Sequence, residues 1–105
     1  MEQTNSFLVL FLAPVKAFLE DDDVSEILIN GPNQVYVEKH GKLEKTDAHF
    51  VSEPALRAAA SNIAKSVQRI LDDNTPRLDA RLPDGSRVHA VITPLARCCT
   101  VIAIR

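Results

Sequence analysis

An α+β domain, in which an antiparallel sheet of about six strands packs against one long helix plus a short N-terminal helix, is the fold class this sequence predicts. Three observations predict it. Leu78 to Pro94 reads as two alternating strands around Pro83-Asp84-Gly85, Ser52 to Asp72 carries one apolar stripe at helical spacing, and strand patterns are grouped on both sides of that helix instead of alternating with helices. With 105 residues, 46% of them hydrophobic, the chain has material for one compact domain and little for a second.

Met1 to Ser6 are polar and expected to be disordered, whereas Phe7 to Leu12 is too uniformly apolar to stay in water. That run fits a short helix or a strand, packed on the domain or on a second copy of the chain. Residues 1–17 are therefore set apart as an N-terminal extension from a domain at 18–105. Pro14 opens a helical turn or two over Val15 to Glu20. Glu20 to Asp23 is an acidic turn. The spacing of Asp21, Asp23 and Ser25 imitates a calcium loop, but Glu26 stands where glycine is needed and Pro32 where a bidentate glutamate is needed.

Glu26 to Asn30 and Val35 to Glu38 pair as a hairpin across Asn30-Gly31-Pro32-Asn33. Lys42 to Thr46 adds a more exposed strand after the His40-Gly41 turn, with Leu43 as its anchor. Ser52 caps the helix, Pro54 fits its first turn, and Val51 is expected to staple against Leu56. Leu56, Ala59, Ala60, Ile63, Ala64, Val67, Ile70 and Leu71 form its buried stripe, while Lys65 and Arg69 fall on the polar face. Asn74-Thr75-Pro76 ends the helix, and Thr100 to Ile104 supplies the last strand.

In the hairpin between them, Pro83 presets φ, Asp84 bonds its own backbone and Gly85 takes the left-handed position, so a three-residue loop ending in a glycine bulge is expected. The register then sets Leu82 against Ser86, Arg81 against Arg87, Ala80 against Val88, Asp79 against His89 and Leu78 against Ala90. Leu78, Ala80, Leu82, Val88, Ala90 and Ile92 share the apolar face, and Asp79, Arg81, Arg87 and His89 the polar one. Arginines directly opposite one another repel, which suggests a phosphate or carboxylate held between them. The commoner case for surface arginines is that they point into water.

A formal net charge of -2 argues against a dedicated nucleic-acid binder, and 5% aromatics with no Trp argue against a base-stacking platform. Cys98 and Cys99 are adjacent, which fits neither a zinc clamp nor a redox motif, and two reduced cysteines are expected. His49 and His89 lie far apart, so no metal set is indicated. The opening apolar run is short and follows Glu2 with no Lys or Arg, so it reads as neither a signal peptide nor a membrane span, and a cytoplasmic protein is the default. There is no Gly-x-Ser-x-Gly, no His-Glu-x-x-His and no Gly-x-x-x-x-Gly-Lys-Ser/Thr, so this chain alone is not expected to be catalytic or to hydrolyse a nucleotide.

Glu26-Ile27-Leu28-Ile29-Asn30-Gly31-Pro32, Val35-Tyr36-Val37-Glu38 with Gly41-Lys42-Leu43, Asp79 to Val88 through Ala90-Val91-Ile92, and Ile104-Arg105 together resemble the N-terminal domain of the type II/type IV secretion ATPases, most closely the branch that powers Tad/Flp pilus assembly. The resemblance covers about Phe18 to Arg105. It implies a PAS-like α/β sandwich preceding a RecA-like motor domain in a hexameric ring, cytoplasmic and peripheral at the inner membrane, with inner-membrane secretion components as partners and no nucleic acid. It also implies ATP as the ligand, with Mg bound by the motor domain. Arginines of this domain reach the ATP phosphates in that family; Arg81 and Arg87 match those positions, and Arg105 matches a further arginine beside the nucleotide cleft. The chain stops where the family's linker to the motor begins. Cys98-Cys99 stands in place of Asp-Gly-like residues, and Phe7 to Leu12 has no counterpart. The alternative is a stand-alone PAS-like ligand-sensing or adaptor module using the same face for a small acid or a partner protein.

Overall fold

Burial with a period of two runs through five of the six strands and decides which way each of them faces. The computed structural model describes residues 11–82, 85–92 and 99–105. A 3-10 turn at Ala13–Val15 leads into helix α1 (Lys16–Leu19), followed by strands β1 (Val24–Asn30), β2 (Val35–Lys39) and β3 (Lys42–Lys45). Helix α2 (Glu53–Ser66) precedes β4 (Arg77–Arg81), β5 (Arg87–Val91) and β6 (Val101–Ile104). The strands form one six-stranded antiparallel sheet in the order β3-β2-β1-β6-β5-β4, as the predicted class requires. The last strand in sequence lies in the middle and joins the two hairpins.

One face of the sheet carries Ile27, Ile29, Val35, Val37, Leu78, Ala80, Val88, Ala90, Ile102 and Ile104 into a single core with Leu56, Ala59, Ala60, Ile63 and Ala64 of α2. Leu12, Val15 and Leu19 join the same core. The other face is half-buried or exposed and carries Glu26, Glu38, Asp79, Arg81, Arg87 and His89 beside the apolar Leu28, Tyr36, Leu43 and Val101. Of the apolar run Phe7 to Leu12, only Phe11 and Leu12 fall within the described residues. Among those residues no helix is long and apolar enough to cross a membrane.

Local turn chemistry follows the sequence closely. His40 and Gly41 both adopt positive φ, 50° and 81°, in the two-residue turn between β2 and β3, and Gly85 takes φ 93° at the end of the β4–β5 loop. Pro83 and Asp84 lie outside the described residues. The acidic turn closes on itself: the Asp23 amide donates to Asp21 Oδ1 at 2.9 Å, and Lys39 Nζ pairs with Asp21 Oδ2 at 3.1 Å. First the amide and then the ammonium hold the Asp21 carboxyl below the usual carboxylate range, and Asp21 in turn pushes the Lys39 ammonium up.

Several expectations are corrected. Leu43 is 57% exposed and anchors nothing in the core, so β3 is held by its pairing with β2. Val51 is 93% exposed and makes no staple, because the buried residue before the cap is Phe50. Cys99 is disulfide-bonded, which overturns the expectation of reduced cysteines.

Helix α2 stops at Ser66, six residues short of the expected Asp72, and leaves Ile70 67% exposed. Its end is a left-handed cap with Gln68 at φ 60°. The Gln68 amide donates to the Lys65 carbonyl and the Arg69 amide to the Ala64 carbonyl, each at 2.9 Å, the paired bonds of a Schellman motif. The chain then turns back, so Leu71 is buried off the helix. A residue with a Cβ is strained in this conformation. Gln68→Gly is expected to raise stability by about 0.5–1 kcal/mol in chemical unfolding. A variant no more stable than the parent would show that Gln68 carries no such strain.

Candidate functional site

The β4–β5 hairpin has the expected register, with Arg81 opposite Arg87 and Asp79 opposite His89. Local bonds hold it: the Gly85 amide donates to the Leu82 carbonyl at 2.9 Å and the Leu82 amide to the Ser86 carbonyl at 2.8 Å. Because Leu78, Ala80, Leu82, Val88 and Ala90 are drawn into the core, the intervening Asp79, Arg81, Arg87 and His89 are forced onto the other face.

On the far side of β5, Arg87 and Arg105 exchange backbone hydrogen bonds, the Arg87 amide donating to the Arg105 carbonyl at 3.0 Å and the Arg105 amide to the Arg87 carbonyl at 2.9 Å. Residues paired in this way sit about 5.5 Å apart at Cα. Arg81, Arg87 and Arg105 therefore stand side by side across three neighbouring strands on the open face, all exposed. The tertiary structure brings the three sequence candidates together. Three permanently charged guanidiniums in a row concentrate positive charge on one face of a chain with net charge -2.

Two carboxylates flank the row. Arg87 Nε lies 3.4 Å from Asp79 Oδ1, and Arg105 Nε lies 3.5 Å from Glu26 Oε1. The Glu26 side chain is the least exposed of the four at 17%. Glu26, Asp79, Arg87, His89, Ala103 and Arg105 line an open depression of about 340 Å³, with Arg81 outside it. Sequence reasoning missed Glu26 and Ala103. Their signal is the alternation Val101, Ala103, Arg105 and Glu26, Leu28, Asn30, which becomes informative only once β1 and β6 are known to be neighbours.

The other half of the same face is apolar. Leu28, Tyr36, Leu43 and Val101 border a second depression, of about 540 Å³. Away from both, His40 in the β2–β3 turn stands 3.8 Å from Asp23, and His49 Nδ1 lies 3.4 Å from the backbone carbonyl of Asp47. Among the described residues no group of three His, Cys, Asp or Glu side chains could hold a metal ion.

Comparison with known proteins agrees with this architecture. Residues 11–104 match the family described as Type II/IV secretion system protein. The type IV secretion system protein VirB11 of Bartonella quintana is 31% identical over 99 residues, which is 94% of this chain and 28% of that protein. VirB11 of Brucella suis is 27% identical over 90 residues, 86% of this chain and 25% of that protein. The crystal structure of the VirB11 ATPase from the Brucella suis type IV secretion system in complex with sulphate has a TM-score of 0.85 at 25% identity, covering 93% of this chain and 31% of that one. This chain thus spans under a third of the length of these relatives. With the match extending from Phe11 to Ile104 and the fold shared with a solved relative, the chain belongs to the type II/IV secretion system protein family.

Proposed function

We propose that this domain is the N-terminal regulatory and ring-assembly unit of a secretion or Tad/Flp-type pilus-assembly ATPase, whose arginines reach the phosphates of ATP held by a following motor domain. The observation that carries the reading is the row of Arg81, Arg87 and Arg105 on one open sheet face. Family membership supports it, as does a structural relative named as an ATPase and crystallised with sulphate, a tetrahedral anion of the kind a guanidinium fork accepts. In this reading the motor domain binds Mg and performs hydrolysis, and the PAS-like domain supplies positive charge from across the cleft. The parent protein is a homo-oligomeric ring, hexameric and cytoplasmic, working at the inner membrane with the secretion components there.

Its test belongs to the parent ATPase. Arg81→Ala and Arg87→Ala each remove a donor aimed at developing phosphate charge and are expected to lower turnover roughly ten- to a hundredfold. Both side chains are exposed and among the described residues Arg87 makes one long surface ion pair, so the melting temperature should hold within about two degrees or rise slightly as the Arg81/Arg87 repulsion is relieved. Folded variants that hydrolyse ATP at the parent rate would refute the reading.

A further inference from the structure

Arg87 and Arg105 are like charges on adjacent strands, and each has a carboxylate on the side away from the other. Asp79 reaches Arg87 from β4, the strand beyond β5, while Glu26 reaches Arg105 from β1, the strand beyond β6. Each guanidinium thus has its counter-charge on its outer side, with the depression lined by both. Ala103, on β6 next to His89, supplies only a methyl group beneath them, and the depression lined by these residues is the result.

In both pairs the guanidinium nitrogen nearest the carboxylate is the inner one, Nε, hydrogen-bonded at 3.4 Å between Arg87 and Asp79 and in ion-pair range at 3.5 Å between Arg105 and Glu26. Among the described residues no acceptor engages the outer Nη pair of Arg87 or Arg105, and that pair is the edge which grips a phosphate through two parallel hydrogen bonds. A long arginine that must be immobilised when its ligand arrives loses affinity in proportion to the rotamer freedom given up, and a side chain already drawn to a carboxylate at Nε has less to lose. The opposing effect is the repulsion between each carboxylate and a bound phosphate, which water and salt weaken on so open a face.

Resting on the reading of the arginines as phosphate ligands, we propose that Asp79 and Glu26 are positioning residues that hold Arg87 and Arg105 apart around a phosphate seat floored by Ala103. Arg81 stands outside the seat and contributes from its edge.

The test is a titration of this chain with inorganic tripolyphosphate, followed through the amide resonances of His89 and Ala103. Arg87→Ala and Arg105→Ala should abolish the response, and Ala103→Leu should block it while leaving every charge in place. Asp79→Ala and Glu26→Ala should weaken binding roughly three- to tenfold, although each removes a negative charge from beside an anion. Asp79→Asn and Glu26→Gln keep an oxygen facing Nε without that charge, so they should bind at parent affinity or tighter, a split that a merely structural role would not produce. If Asp79→Ala and Glu26→Ala bind as tightly as the parent while the arginine variants fail, the positioning role is overturned and the arginine reading stands. Absence of binding by the parent chain overturns the seat and leaves the arginine reading to the turnover of the parent ATPase, whereas parent affinity in the arginine variants overturns both.

Discussion

Leu82→Ala is expected to lower the free energy of unfolding by about 2–5 kcal/mol, a large part of what a domain of this size possesses. Leu82 is buried at the end of the β4–β5 hairpin, where its amide donates to Ser86 and its carbonyl accepts from Gly85. Truncation removes apolar area and leaves a cavity beneath backbone that these bonds hold in place. Arg81, the residue before it, points to the other face, and its replacement by alanine should change stability by less than about 0.5 kcal/mol. Denaturant unfolding of the two variants reads the contrast. Equal losses at neighbouring positions would mean that the two faces of the hairpin have been assigned wrongly.

Glu53→Ala is the second large effect expected, about 2–4 kcal/mol, and it comes from a contact of high sequence separation. The Glu53 carboxylate opens helix α2 and accepts the Thr100 amide at 3.1 and 3.0 Å on its two oxygens and the Thr100 hydroxyl at 2.5 Å. Thr100 is fully buried, and its own carbonyl accepts the Gly31 amide at 2.9 Å. One carboxylate therefore ties together the start of the helix, the approach to β6 and the turn after β1. Alanine leaves two buried donors without an acceptor, each costing about 1–3 kcal/mol, and also removes a negative charge from the helix N-terminus. Thr100→Val keeps the amide bond to the carboxylate and loses only the hydroxyl, so it should cost about 1–2 kcal/mol. Unfolding curves for both variants check the order; a Glu53→Ala chain as stable as its parent would mean that water replaces the carboxylate without loss.

Both results bear on how far the fold could be read in advance. The expected hairpin register around Gly85, the Ser52 cap with its side chain accepting the Ala55 amide at 3.2 Å, and the His40-Gly41 turn all appear as expected. Each depends on groups only a few positions apart. The end of α2 was misplaced for a related reason: the apolar spacing continues through Val67, Ile70 and Leu71, but a left-handed residue at Gln68 ends the helix without the glycine that would have announced it.

Alternation and turn chemistry, legible in the chain itself, were enough to sort Arg81 and Arg87 onto one polar face and Leu82 and Val88 onto the opposite one. They said nothing about what stands next to β5 on its other side. Only the assembled sheet, with β6 between β1 and β5, sets Arg105 beside Arg87, brings Glu26 to Arg105, and leaves Ala103 as the floor between them. The physical reason is the range of the forces. Side-chain direction along a strand is fixed by its pleat, whereas strand order follows from burying both hairpins and β6 against one helix. That collective requirement leaves no mark in any short stretch of residues.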